Sequence, residues 1–575
     1  MKNIVLCLLF LQIIFLHGQN LKQIKQELLK QNIESELYNN SDSLLLIKYP
    51  GGKSIVKGIY PEQGNLPVDG IDTVVIDVLN VDTLLYHDRY TFWKEVNATG
   101  GFVAPVLIGD VNKNGITEFY GSDLYFLDAP NGPFPVKIFE YDSQLDNYII
   151  RHIYKDTLLR AKALYDIDND GDLEVYIQTF PGSKYGFVMN APSDTSFPVN
   201  EMMLNDMGYQ MNDPTFGDFN LDDNTDLVYY SLASPGRNFI KTVNSQQNGF
   251  DSVYEFRQED VYSAGFSAED IDGDGYADIV LGNVKGKIQI LEYSPVLGTY
   301  TNSWTGTVGH SNPYMHAASN DIDGNGRKEF WVGGDAFRNG VGITRFTAFE
   351  ATGDNQYQQV ARIEIPGIFS FAAYNMLAKD INGDGVEELI VCLDNVFFIL
   401  TFRGFPNEHN YALYYVKFRD KVPSGVSSEY FGGTMYDIDG DGNMEVIISQ
   451  DYITHNFNSF QVREFSKIYK PTIGTSLEDE IISPDDFSIT AYPNPFNATQ
   501  TYEVTVPHHE GFEVVIYDIM GRQIITLAEG ISTGNRERFN WNGKDESGTN
   551  LSSGIYIVRL QTKIGTKQIK SVLLK

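Results

Sequence analysis

Short apolar runs recur along most of this chain, cut at regular intervals by Gly, Asn and Asp. Runs such as "LEVYIQTF", "DLVYYSL", "ADIVLGN", "EELIVCL" and "MEVIIS" are rich in β-branched and aromatic residues. They are too short for ordinary helices and are bounded by turn formers, so they predict strands. A second strand type follows several of them: "VKIFEYD" at Val136, "IQILEYS" at Ile288, "TRFTAFEA" at Thr344 and "FQVREFS" at Phe460. A third type opens with Tyr, as in "YIIRHIY", "YTNSWTGTV", "YQQVARIEI" and "YALYYVKF". With the strand before each run, one unit holds four strands. Residues 19–88 read differently. Leu21, Ile24, Leu28, Leu29, Ile33 and Leu37 fall at helical spacing and predict a short amphipathic helix, with strands such as "TVVIDVL" after it.

An acidic nine-residue turn precedes each run: "DVNKNGITE" at Asp110, "DIDNDGDLE" at Asp166, "DFNLDDNTD" at Asp218, "DIDGDGYAD" at Asp270, "DIDGNGRKE" at Asp321, "DINGDGVEE" at Asp380 and "DIDGDGNME" at Asp437. Successive first aspartates are 56, 52, 52, 51, 59 and 57 residues apart, the period of propeller blades. The ends of the array fit together. Tyr90 to Val96, "YTFWKEV", is a strand with no blade of its own, while the last copy lacks a convincing fourth strand. Lending the first to the second closes the ring and removes an exposed edge. The predicted architecture is all-β, a seven-bladed propeller over residues 89–470.

Positions 1, 3, 5 and 9 of the turn hold Asp, Asn or Glu in all seven copies, and position 6 is Gly in six. Empty, such a loop repels itself. Oxygen ligands wrapped by a Gly-permitted turn suit Ca2+. An EF-hand or dockerin loop would need a carboxylate at position 12, where five copies carry Ile177, Leu281, Val332, Val391 and Ile448. The loop therefore closes through position 9, between two strands. A phosphatase of the DxDx(T/V) type also begins with two aspartates, but it needs one nucleophile and leaves seven copies unexplained.

These repeats resemble the FG-GAP or VCBS family, calcium-loop propellers that include the head of the integrin α-subunit. The resemblance implies side-chain ligands at Asp110, Asn112, Asn114 and Glu118; Asp166, Asp168, Asp170 and Glu174; Asp218, Asn220, Asp222 and Asp226; and Asp270, Asp272, Asp274 and Asp278. It continues with Asp321, Asp323, Asn325 and Glu329; Asp380, Asn382, Asp384 and Glu388; and Asp437, Asp439, Asp441 and Glu445, with a carbonyl such as that of Tyr276 at position 7. Two copies depart from the pattern. The Asp110 loop has only two charges among the four positions, and the Asp218 loop has Asp223 in place of Gly, which predicts weak binding there.

After Lys470 the repeat stops, and "PTIGTSLEDEIISPDD" reads as an acidic linker, assigned to residues 471–486. Residues 487–575 show alternation such as Phe512, Val514 and Ile516 with spaced turns, predicting a small β-sandwich. Tyr492-Pro493-Asn494-Pro495, Asp518 with Gly521-Arg522, Trp541 with Gly543, and Gly554-Ile555-Tyr556 resemble the type A C-terminal sorting domain of the type IX secretion system. That family implies the secretion machinery as partner, outer-membrane passage, and then surface attachment or release. An immunoglobulin-like spacer module shares similar motifs and stays open as an alternative. "GISTG" around Ser532 fits a nucleophile elbow only by its letters, with no strand, helix or doubly wound sheet about it. His508-His509 reads as a solvated loop.

Charge and the N-terminus narrow the function class. A net charge of −33 argues against nucleic acid or an anionic membrane as partner, and seven Ca2+ would offset part of it. Lys2, the apolar run "IVLCLLFLQIIFL" and Gly18 have the layout of a secretory signal cleaved after Gly18. The run is too short to span a bilayer, and no later segment is transmembrane. Cys7 would leave with the signal, so Cys392 reads as a lone buried thiol. The leading expectation is a secreted or surface calcium-binding propeller with a protein or glycan ligand. The alternative is a polysaccharide lyase or glycosidase. The chain has no concentrated basic run for a lyase, and ligand acids obscure any glycosidase pair.

Overall fold

The computed structural model describes most of residues 71–575 and three earlier strands, Glu34–Leu37, Leu44–Lys48 and Ser54–Gly58; the longer stretches outside it are 1–33, 59–70, 123–134, 258–266 and 473–487. The protein is all-β. Leu37 lies in a strand paired antiparallel to Leu44–Lys48, so the predicted helix does not extend to it. The polar stretch Asn39-Asn40-Ser41-Asp42 favours a turn, and hairpin pairing overrides the helical spacing. The rest of that helix and the signal segment lie outside the described residues.

The first four-stranded sheet runs Leu107–Gly109, Glu118–Gly121, Lys137–Asp142 and Asn147–Ile153, each strand antiparallel to the next. The second spans Leu159–Tyr165 to Asn200–Asp206, and the third Thr215–Gly217 to Gly249–Arg257. A single parallel pair, Leu204 with Gly249, links their last strands. The fourth sheet spans Ser267–Glu269 to Thr299–Thr307, the fifth Ser311–Ser319 to Gln356–Pro366, and the sixth Asn375–Lys379 to Tyr411–Phe418. The seventh uses Tyr430–Tyr436, Glu445–Asn456 and Ser459–Pro471, and its outer strand is Tyr90–Val96, antiparallel to Ser459–Pro471. The closing strand read from the sequence is therefore in place, and its partner runs one residue past Lys470.

Apolar side chains fill the space between consecutive sheets. Tyr120 and Ile138 of the first pack with Val175 and Ile177 of the second, and Ile290 of the fourth with Phe330 and Val332 of the fifth. Val96, Ile447 and Ile468 of the seventh pack with Phe119 and Phe139 of the first, so the series returns to its start. Thr117 Oγ1 donates to the Ile438 carbonyl at 2.9 Å across the same junction. Strand Asp72–Val75, which overlaps the first three residues of the predicted "TVVIDVL", adds parallel to the outer edge of the fifth sheet, and Ile76 and Val78 after it enter the core. The edge is thereby covered.

Residues 488–574 form two further sheets, Ser488–Tyr492, Gln500–Thr505 and Glu537–Trp541 in one, and Gly511–Asp518, Gln523–Ile531, Gly554–Thr562 and Thr566–Leu573 in the other. They share one core around Tyr502, Val514, Ile516, Trp541 and Leu560. Among the described residues no helix is long and apolar enough to cross a membrane.

Candidate metal centres

Each acidic turn joins the first strand of a sheet to the second, and main-chain N–H groups aim its carboxylates. In the second and fifth loops the leading aspartate accepts from the amides of positions 5 and 6, Asp166 from Asp170 and Gly171, both at 3.0 Å, and Asp321 from Asn325 and Gly326 at 2.8 and 2.6 Å, whereas Asp270 accepts from position 4, Gly273, at 2.7 Å. The position 5 side chain accepts from the amide of position 7, as Asp274 does from Tyr276 at 2.8 Å. Position 9 opens the second strand and accepts from the amide of position 2: Ile167 to Glu174 at 2.7 Å, Ile271 to Asp278 at 2.9 Å, Ile438 to Glu445 at 2.8 Å. Position 6 takes a left-handed φ, from 82° at Gly115 to 100° at Gly275. A Cβ on Gly115 would meet nothing within 4 Å, so the glycine serves the φ and not the space. Asp223 adopts 65° at this position, which short polar side chains tolerate, so the Asp218 loop keeps the turn without its glycine.

The turns gather the acids that the sequence singled out. Asp166, Asp168 and Glu174 bring ligand atoms within 4.8 Å of one another, as do Asp270, Asp272 and Asp278, and Asp321, Asp323 and Glu329. In the first loop Asp110 and Glu118 stand with Asn112 and Asn114, and in the third Asn220 donates to Asp222 at 3.1 Å. In the sixth Asn382 donates to Glu388 at 3.2 Å, with Asp380 and Asp384 taking the main-chain amides. In the seventh Asp437 and Asp441 do the same, while Asp439 pairs with Lys470. Burial pushes the position 9 carboxyls up, Glu118, Glu174, Asp278 and Glu445 to about 7, Asp226 to about 6, Glu388 to about 8 and Glu329 to about 9. Glu329 leaves Oε1 without a partner although it is fully buried. Buried carboxylates of this kind are stable when neutralised by a proton or a cation. Oxygen donors alone fit a hard cation such as Ca2+.

Several residues of these centres escaped the sequence reading. The Tyr that opens a fourth strand reaches back to the acid of the preceding sheet: Tyr300 donates to Asp226 Oδ2 at 2.7 Å, and Tyr357 donates to Asp278. Burial, and then Glu445, raises the Tyr148 hydroxyl in the same way. Across from position 9, the third strand carries Glu140, Glu292 and Glu350 in the first, fourth and fifth sheets. The register places Asn190, Thr242, Thr401 and Lys470 there in the others. His409, from the sixth sheet's hairpin, lies 3.2 Å from Glu350 Oε1 and 3.7 Å from Asp323 Oδ2. The recurring Glu in "FEYD", "LEYS" and "AFEA" and the repeated Tyr were the available signals.

Other candidates fall elsewhere. Cys392 is a fully buried thiol in a strand, pushed up by burial. Ser532 is buried, follows the strand Gln523–Ile531 and donates to the Val506 carbonyl at 2.7 Å, and the residues just after it lie outside the described ones. His508 and His509 lie outside the described residues.

Residues 270–332 match the FG-GAP-like repeat, and residues 490–575 match the secretion system C-terminal sorting domain. No curated protein matches the chain. Among solved structures, PorZ of Porphyromonas gingivalis, described as a surface component of the type-IX secretion system, aligns at 12% identity and a TM-score of 0.33. The alignment covers 94% of this chain and 65% of PorZ, so this chain spans just under two thirds of that protein. The periplasmic gluconolactonase PpgL of Pseudomonas aeruginosa aligns at 10% identity and a TM-score of 0.37, over 60% of this chain and 94% of its own. This chain thus carries an FG-GAP-like repeat and a type IX secretion system C-terminal sorting domain, and the sorting domain marks it for the cell surface or for secretion.

Proposed function

We propose that the protein is a calcium-loaded, seven-bladed β-propeller, exported on its immunoglobulin-like sorting domain, that binds a protein or glycan ligand outside the cell. Residues 89–470 form the propeller and 487–575 the sorting module, with residues 471–486 as linker. Four-stranded sheets that pack in series and return to the first support the ring. The observation that carries the calcium reading is the repeated gathering of carboxylates around a buried position 9 acid in one turn geometry, at Asp166–Glu174, Asp270–Asp278 and Asp321–Glu329. Extracellular calcium modules bind at roughly 10⁻⁴ to 10⁻³ M, so the ion is a structural part of a secreted protein. A rigid ring held this way presents its remaining loops as a binding surface, and a sorting domain delivers that surface to where extracellular ligands are.

Chelation tests the ion. The melting temperature should fall in excess chelator, and Ca2+ should restore it better than Mg2+, which demands a smaller octahedral shell. An unchanged melt removes calcium from the reading. Screening the purified protein on glycan and surface-protein arrays tests the ligand, and the absence of any saturable binder would count against the binding role.

A further inference from the structure

The three third-strand glutamates sit in different company. In the first sheet Asn114 Nδ2 donates to Glu140 Oε1 at 2.7 Å, and Arg151 Nε to Glu140 Oε2 at 2.6 Å. In the fifth, Asn325 Nδ2 donates to Glu350 Oε1 at 2.8 Å, and His409 and Arg327 approach the same carboxylate at 3.2 and 3.5 Å. Each of those glutamates therefore meets an amide from position 5 and a basic side chain.

The fourth sheet has neither. Its position 5 is Asp274, and Asp272, Asp274 and Glu292 bring carboxylate oxygens within 4.8 Å of one another. Among the described residues no ion pair reaches any of the three. Asn355 donates its amide N–H to Asp272 Oδ2 at 2.6 Å and its Nδ2 to Glu292 Oε1 at 3.0 Å. Glu292 is 6% exposed, and its Oε2 has no partner. Asp272 also belongs to the neighbouring group with Asp270 and Asp278. One divalent ion among the loop acids leaves Glu292, buried and with Oε2 unpartnered, uncompensated, a cost that burial makes large. Acid at both position 5 and the third strand occurs in this sheet alone of the seven.

We propose that the fourth sheet holds two cations bridged by Asp272, the first in the loop and the second between Asp272, Asp274 and Glu292. The all-oxygen donor set assigns the second site to a hard divalent cation, Ca2+. This rests on the calcium reading of the loops. In the fifth sheet the His409 imidazole and the Asn325 amide stand where the second ion would be, so that sheet holds one.

Native mass spectrometry of the calcium-loaded full chain counts the ions. Glu292→Gln should carry one Ca2+ fewer than the wild type, and Glu350→Gln the same number. Glu292→Thr, the residue at this register position in the third and sixth sheets, repeats the test should the amide impair folding. An unchanged count in the Glu292 variants overturns the second site and leaves the loop sites standing. A wild type that carries no Ca2+ overturns both.

Discussion

At the scale of the residue, a carboxyl that opens a strand at position 9 is asked to be both buried and charged. Glu174 and Asp278 are held at about 7 and Glu388 at about 8 by burial, whereas the unfolded chain ionises such groups near pH 4. Between those values the folded, metal-free protein binds more protons than the unfolded chain. Its stability therefore falls as pH rises from about 4 to about 9, where Glu329, the highest of them, ionises. The proposed calcium would take the ionised form, so protons should leave as it binds and its affinity should weaken below about pH 7. Melting curves across this range should fall with pH in chelator and lose that fall in saturating Ca2+; parallel curves would contradict the linkage. The tyrosines share the same burial. Tyr300→Phe leaves Asp226 Oδ2 without its donor and should cost about 1 to 3 kcal/mol in urea denaturation. A cost near zero would mean that the bond does not tie the fourth sheet to the third.

At the scale of the element, each acidic turn does two jobs with one set of atoms. Main-chain amides fold the loop around its aspartates, and the position 9 acid starts the strand that enters the core, as Glu388 leads into Leu389–Cys392. Local turn chemistry made these loops readable along the chain, because a left-handed φ and side-chain acceptors need particular residues at particular offsets. The helix predicted to reach Leu37 does not extend to it, because Glu34–Leu37 finds a hairpin partner in Leu44–Lys48 that helical spacing alone does not reveal. The strand Tyr90–Val96 is the clearest element prediction. Deleting it exposes the edge of Ser459–Pro471 and removes Val96 from the junction with the first sheet. Limited proteolysis should then cut between residues 437 and 468, with aggregation on concentration. A deletion variant as resistant as the wild type would show that the sheets close without this strand.

At the scale of the whole molecule, the sorting domain has its own two sheets and its own core, so it is suited to act as a separable address. Removing residues 487–575 should leave a folded, calcium-binding protein in the periplasm, whereas a spacer module would leave the compartment unchanged. Fractionation of cells carrying full-length and truncated protein measures this, and truncated protein at the surface would refute the role of the address.

The sequence by itself determined the strand content, the seven acidic turns, their spacing, the partner of the closing strand and the sorting motifs. Each of these is written in neighbouring residues or in a period. Tertiary structure alone decided which distant side chains complete a centre. Tyr300 and Asp226 are 74 positions apart, Tyr357 and Asp278 are 79 apart, and Glu350 and His409 are 59 apart. Their meeting depends on strand register and on one sheet packing against the next. The same holds for Asp72–Val75, whose pattern announced a strand but whose place on the fifth sheet's edge was settled by parallel pairing with Gln356–Pro366. A period of two or a repeat of about fifty residues carries no record of which side chains lie across a junction, because that depends on the packing between sheets and not on order along the chain.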